Sequence, residues 1–143
     1  MDLELRRATV DEILPLRHRV LRTGMPLESA IFPEDHQANV IHYGAFLNGQ
    51  AIVCFTLLPS EWDGVPTWQL RGMATDKAHQ GEGYGSQLIR FAEADVKKST
   101  IGLRFWCNAR LTAVPFYERN GWEIASDRFV VPIFGPHHKM IRF

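Results

Sequence analysis

Residues 69–89, QLRGMATDKAHQGEGYGSQLI, constrain this chain more than any other stretch. Leu70, Met73 and Thr75 favour an extended segment that stops near Asp76. Gln80-Gly81-Glu82-Gly83-Tyr84-Gly85-Ser86 follows, and then Leu88, Ile89, Ala92 and Val96 recur at helical spacing. The reading is strand, short loop, glycine-rich turn, helix. Glycines at such a junction let the backbone approach a ligand closely and leave amide N–H groups pointing outward. A helix N-terminus adds a partial positive charge to those free donors. Together they make a phosphate site that needs no lysine.

Three phosphate-binding patterns can be compared with this loop. The P-loop needs a Gly-Lys-Ser/Thr ending, which the chain lacks. The dinucleotide fingerprint Gly-x-Gly-x-x-Gly fails where Ser86 stands, and it belongs on a first strand rather than in mid-chain. The pattern Gln/Arg-x-x-Gly-x-Gly/Ala fits, with Gln80, Gly83 and Gly85 in its fixed places. That arrangement resembles the acetyl-CoA pyrophosphate loop of the GNAT superfamily of N-acetyltransferases.

A chain of 143 residues, 45% hydrophobic, predicts one globular domain spanning 1–143. Sixteen basic and sixteen acidic residues cancel, so no nucleic-acid footprint is expected. No apolar run is long enough to cross a bilayer, and the opening MDLELRRATVDE has no apolar signal region. Cys54 and Cys107 sit inside predicted buried strands and read as reduced core thiols, which suits a cytoplasmic setting. No close Cys/His grouping carries metal-ligand spacing, so no metal is expected.

Along the chain, Leu3, Leu5 and Arg7 predict a short first strand. Thr9 and Glu12 form a capping-box signature for a helix with apolar Ile13, Leu14, Leu16, Val20 and Leu21 and an internal Pro15. Arg17, His18, Arg19 and Arg22 give it a basic side, read as a solvated face ahead of a role in holding substrate or CoA phosphate. Residues 24–39 read as a surface loop or short helix beside an acceptor pocket. Residues 42–47 and 50–58 read as strands joined at Asn48-Gly49, a strong hairpin signal. Residues 59–66 read as a loop holding Trp62. Gly72 marks a bulge in the strand that follows. The helix after the glycine loop is expected to end near Lys97-Lys98. A strand over 101–108 comes next, with Leu103, Phe105 and Cys107 on one side. Thr112 reads as the cap of a short helix with Pro115 in its first turn and Gly121 at its end. Strands over 122–131 and 138–143 close the chain. This order predicts an α/β fold: a twisted mixed sheet of about seven strands with helices on both faces.

A second block, Trp106-Cys107-Asn108-Ala109-Arg110 through Phe116-Tyr117-Glu118-Arg119-Asn120-Gly121-Trp122, resembles the strand-five and helix-four signature of the same superfamily. The ending Pro136-His137-His138-Lys139-Met140 is similar to a Pro-His-x-x-Met ending of one bacterial branch. The resemblance implies a sheet splayed between strands 4 and 5, with pantetheine in the gap and Gly72 at the bulge. It implies acetyl-CoA as co-substrate, held by Met73, Ala74 and Thr75, by the loop Gln80, Gly81, Glu82, Gly83, Tyr84, Gly85 and Ser86, and by Asn108. It places Tyr117 as the hydrogen-bond donor to the CoA sulfur. A phenol, with an unperturbed pKa near ~10, can protonate a thiolate at neutral pH.

The expected activity is acetyl transfer to a primary amine by direct attack in a ternary complex. A longer acyl donor, or a CoA-sensing module without catalysis, stays open, as does a homodimer. For the base, His137 leads, with His42, Glu34, Asp35 and His36 as alternatives. Trp62, Trp68, Trp106 and Phe129 are candidates for an apolar acceptor pocket or simply for core.

Overall fold

The structure, a computed structural model, describes residues 2–143. Strand β1 (Leu3–Ala8) leads into helix α1 (Val10–Leu21) through the capping box that the sequence implies. The Glu12 amide donates to Thr9 Oγ1 at 3.3 Å, and the Thr9 amide donates to Glu12 Oε1 at 2.9 Å. Arg6 grips the same carboxylate with Nη1 at 3.1 Å and Nη2 at 2.6 Å. The Arg6 hydrogen bond, then the Thr9 amide, lowers the Glu12 carboxyl pKa from 4.5 to about 2. Its contribution to stability is therefore complete above the unfolded pKa of 4.5 and is lost as pH falls through about 2. Glu12→Gln is expected to lower the melting midpoint at pH 7 by roughly 2–4 °C. Thermal melts of both proteins at pH 2 should show the gap nearly closed. A gap that persists there would assign the loss to something other than this carboxylate.

The sheet grows as a meander. Strands β2 (Ile41–Leu47) and β3 (Gln50–Trp62) turn at Asn48 and Gly49, whose φ values of 51° and 78° suit a two-residue hairpin. Strand β3 then runs past the expected loop at 59–66. Asp63 and Gly64, with φ of 50° and 78°, turn the chain straight into β4 (Val65–Thr75). The Asp-Gly pair is itself a hairpin signal, outweighed in the sequence by Pro59 and Pro66. The ladder between β2 and β3 stops at Ile41 and Leu57, so Pro59 lies on a stretch with no neighbour on that side. A proline is tolerated at such an edge.

Helix α2 (Tyr84–Val96), strand β5 (Phe105–Arg110), helix α3 (Val114–Arg119) and strands β6 (Glu123–Ile124), β7 (Phe129–Val131) and β8 (Gly135–Arg142) complete the fold. Several boundaries differ from expectation, and β8 begins at Gly135 rather than at 138. β5 starts at Phe105 rather than at 101, and Leu103 is exposed. Thr112 lies in a 3-10 turn (Leu111–Ala113), and Ala113 takes the cap position before Pro115. The span 122–131 divides into β6 and β7, both laid against β8.

The eight strands run in the order β1-β2-β3-β4-β5-β8-β6, with β7 also on β8. Alternation along β3 explains the layers. Val53, Phe55 and Leu57 face α2 residues Leu88, Ile89, Ala92 and Val96, while Cys54 faces Ile13 and Leu16 of α1. The helices therefore cover opposite faces of one sheet.

Two irregularities in β4 prepare the site. Cys54 pairs with Ala74 while Thr56 pairs with Arg71, so β4 carries one extra residue at the bulge that Gly72 signals. Gly72 has φ +67°, and a Cβ there would come within 3.0 Å of the Phe32 ring. The second irregularity is the parallel ladder to β5. It joins Trp68 to Phe105, Gln69 to Trp106 and Leu70 to Cys107, then stops. Beyond Leu70 the two strands part.

Candidate active site

The glycine loop is built as an anion cradle. Gly81 and Gly83 have φ of 79° and 83°, values open mainly to glycine. Gly83 caps α2 with no side-chain bond, and the first helical hydrogen bond is Gln87 N–H to Gly83 O at 3.1 Å. The amides of Gly83, Tyr84, Gly85 and Ser86 precede the first helical bond of α2 and so have no intrahelical acceptor. Thr75 O accepts from Gln80 Nε2 at 3.3 Å, which ties the loop to the end of β4. Ser86 Oγ accepts from Asn120 Nδ2 at 3.0 Å and so docks the end of α3. A Cβ on Gly85 would lie 3.1 Å from the Phe116 ring and 3.2 Å from Met73 Cε. Only glycine fits this crossing without displacing its neighbours.

A cavity of about 600 Å³ lies over the cradle. Met73, Ala74, Thr75, Gln80, Gly81, Gly83, Tyr84, Gly85 and Ser86 all line it. The expected Glu82 does not; its carboxylate stands 3.4 Å from His79 Nδ1. Arg110, Thr112 and Arg119 close the far wall, and the sequence reading did not name them as site residues.

A second cavity, about 410 Å³, opens where β4 and β5 separate. Leu21, Met73, Arg110, Ala113 and Phe116 line both cavities, so the two meet. Tyr117 and His137 come from elements far apart in sequence, and both face this second space. Asn108 lies here too, its Oδ1 accepting from Lys139 Nζ at 3.1 Å, and not beside the cradle. Burial, then the neighbouring Cys107 thiol, raises the Tyr117 pKa well above the ordinary phenol value. Tyr117 therefore stays a neutral O–H donor. Burial also pushes the Cys107 thiol up to about 12. His137 Nδ1 is 2.8 Å from Gly135 O. That carbonyl can only accept, so Nδ1 carries a proton, and in the neutral ring the lone pair is on Nε2. The imidazole stacks on Phe129, with ring centroids 5.8 Å apart.

The other base candidates are committed elsewhere. His42 is buried against Thr56 Oγ1 at 2.7 Å and Asp35 O at 2.9 Å. Asp35 pairs with Arg17 at 2.7 Å, and Glu34 with Arg71 at 2.9 Å. His36 is exposed and lines neither cavity. The three tryptophans are absent from the acceptor-side lining. Trp68 is core, while Trp62 and Trp106 pack together at 5.8 Å. Phe32, Phe134 and Phe116 form the aromatic walls instead. Of the two readings of the basic side of α1, the solvated one fails for Arg17 and Arg22. Arg17 is wholly buried, and Arg22 lines the second cavity. Arg71 and Arg110, unremarked in the sequence, join Arg22 there. An arginine next to the Gly72 bulge and another at the end of an apolar strand were the available signals.

A split mixed sheet with an amide cradle at the mouth of the split defines a class of acyl-transferring proteins. The acetyltransferase (GNAT) domain family matches residues 38–124. The chain is also 31% identical over 143 residues to the uncharacterised N-acetyltransferase YitI of Bacillus subtilis (strain 168), covering 98% of this chain and 95% of that one. The chain belongs to the GNAT family and is an enzyme of the N-acetyltransferase class. Among solved structures, an acyl-CoA N-acyltransferase from Pseudomonas aeruginosa superposes with a TM-score of 0.75 at 20% identity over 99% of both chains. An aminoglycoside 6′-N-acetyltransferase complexed with coenzyme A superposes at 0.76, with 13% identity over 97% of this chain and 96% of that one. At these identities the two structures share the fold alone.

Proposed function

We propose that the protein transfers the acetyl group of acetyl-CoA to a primary amine by direct attack within a ternary complex. The observation that carries this reading is the set of amides at residues 83–86 left without intrahelical acceptors, opening into a cavity continuous with the β4–β5 gap. The diphosphate of CoA sits on those amides and the N-terminus of α2. Pantetheine then follows the free edge of β4 past Met73, and the thioester reaches the junction of the two cavities. Asn108, on the acceptor side, meets the reacting end of the cofactor rather than its diphosphate.

The amine nitrogen attacks the thioester carbonyl carbon, forming the C–N bond. A main-chain N–H near Met73 or Ala74 stabilises the oxyanion as it develops. The C–S bond then breaks and its electron pair leaves with sulfur. His137 Nε2 accepts the proton released from nitrogen. Tyr117 O–H donates a hydrogen bond to the departing thiolate. Its raised pKa refines the sequence expectation: the phenol steadies the sulfur by hydrogen bonding more than by giving up its proton.

Isothermal titration with acetyl-CoA tests the reading. Binding is expected with a Kd of order micromolar, which corresponds to about −8 kcal/mol. A folded protein that takes up no acetyl-CoA would remove the proposal. Competition between acetyl-CoA and longer acyl-CoAs reads the length of the donor.

A further inference from the structure

The acceptor-side cavity has a charge pattern that the family's chemistry does not require. Its charged lining is Arg22, Arg71 and Arg110, with no carboxylate among the described lining residues. The whole chain is formally neutral, so this concentration is local. Arg71 is partly neutralised by Glu34 at 2.9 Å. Arg22 and Arg110 form no ion pair among the described residues.

The guanidinium groups are also held in place. Arg22 lies 4.5 Å above the Phe134 ring, Arg71 lies 4.4 Å above Phe32, and Arg110 is 5.5 Å from Phe134. Arg22 spends Nη1 on Leu21 O at 3.1 Å and Arg71 spends Nη1 on Glu34, and an arginine stacked by its face offers its remaining N–H donors to a planar oxyanion. Burial, then repulsion from Arg110, Arg71 and Arg17, holds the Arg22 pKa below its ordinary value. Clustered, half-buried like charges of this kind are relieved by an incoming anion.

We infer that the acceptor is a small amine that also carries an oxyanion, a carboxylate or a phosphate, which seats on Arg22, Arg71 and Arg110 and aims the amino group at the thioester. This rests on the acetyl-transfer reading above. It excludes polycationic amines, which this pocket repels. The arginines are not simply part of the CoA phosphate site, because Arg22 and Arg71 do not line the cradle cavity and only Arg110 reaches both.

The test uses matched acceptors with acetyl-CoA, reading free thiol. One pair is L-phenylalanine and L-phenylalaninamide; the other is O-phosphoethanolamine and ethanolamine. In at least one pair the anionic member is expected to have a kcat/KM about tenfold or more above its neutral partner. The amide's amino group is the weaker base and so is more often neutral, which makes preference for the acid run against intrinsic reactivity. The pair that responds identifies carboxylate or phosphate. Arg22→Gln should bring the ratio toward one and leave acetyl-CoA affinity unchanged.

Neutral members turned over equally well would overturn the inference. So would an Arg22→Gln variant that weakens acetyl-CoA and keeps the ratio. If no member turns over, titration with N-acetyl-L-phenylalanine and its amide decides: preferential binding of the acid supports the anion seat, and equal or no binding overturns it. That titration needs no CoA, so it separates failure of the arginine seat from failure of the cofactor reading.

Discussion

Arg17→Ala is expected to cost about 3–5 kcal/mol of folding stability, the typical penalty for breaking a buried ion pair from one side. Arg17 is fully buried on α1, yet it makes contacts across three other segments. Its Nη1 donates to Asp35 Oδ2 at 2.7 Å and to Ala30 O at 2.8 Å. Its Nη2 donates to Thr56 Oγ1 at 2.9 Å and to Asp35 Oδ1 at 3.2 Å. The guanidinium also lies 4.0 Å over the Phe32 ring. Without it the buried Asp35 carboxylate keeps only the Phe32 amide, at 2.8 Å, and His42 loses an organised neighbour at Thr56. Because Phe32 walls the acceptor-side cavity, the loss should also loosen that pocket. Urea unfolding measures the change. A loss under about 1 kcal/mol would mean that the pair is dispensable and that residues 30–35 are held by packing alone.

Tyr117→Phe is expected to lower kcat about 10²-fold while changing acetyl-CoA affinity by less than about twofold. The asymmetry follows from where the hydroxyl acts. It meets the sulfur only as charge gathers there, so its absence is felt in the transition state rather than in binding. Stopped turnover with intact titration curves is the signature. The variant also removes a buried hydroxyl beside the Cys107 thiol, so a melt must accompany the kinetics. Because burial raises the phenol's pKa, Tyr117 should contribute no alkaline fall in rate through the ordinary assay range. Unchanged kcat in a folded variant would leave Tyr117 as a core side chain.

What could be read in advance divides along physical lines. The cradle was legible because its physics is local: glycines, a strand end and a helix start lie within a few residues of one another. Gly72 was legible for the same reason, since a glycine inside a strand is a local irregularity with a structural cause. Arg17 was not. Its neighbours in sequence are His18 and Arg19, and nothing nearby announces Asp35 and Thr56 as its partners. A substrate-holding role was open for Arg22, but its grouping with Arg71 and Arg110 escaped for the same reason, because α1, β4 and β5 meet only after the sheet forms. Asp63-Gly64 was a missed local signal, masked by two prolines that an unpaired strand edge accommodates.

The parallel ladder that quits after Leu70 has a mechanical consequence. It leaves the sheet as two half-blades hinged along a short seam, each blade braced on its outer side by antiparallel neighbours. A guest with amides of its own, laid in the opening, would act as a surrogate strand and clamp the blades together. On the reading advanced above, loading the donor therefore stiffens the middle of the enzyme before any acceptor arrives.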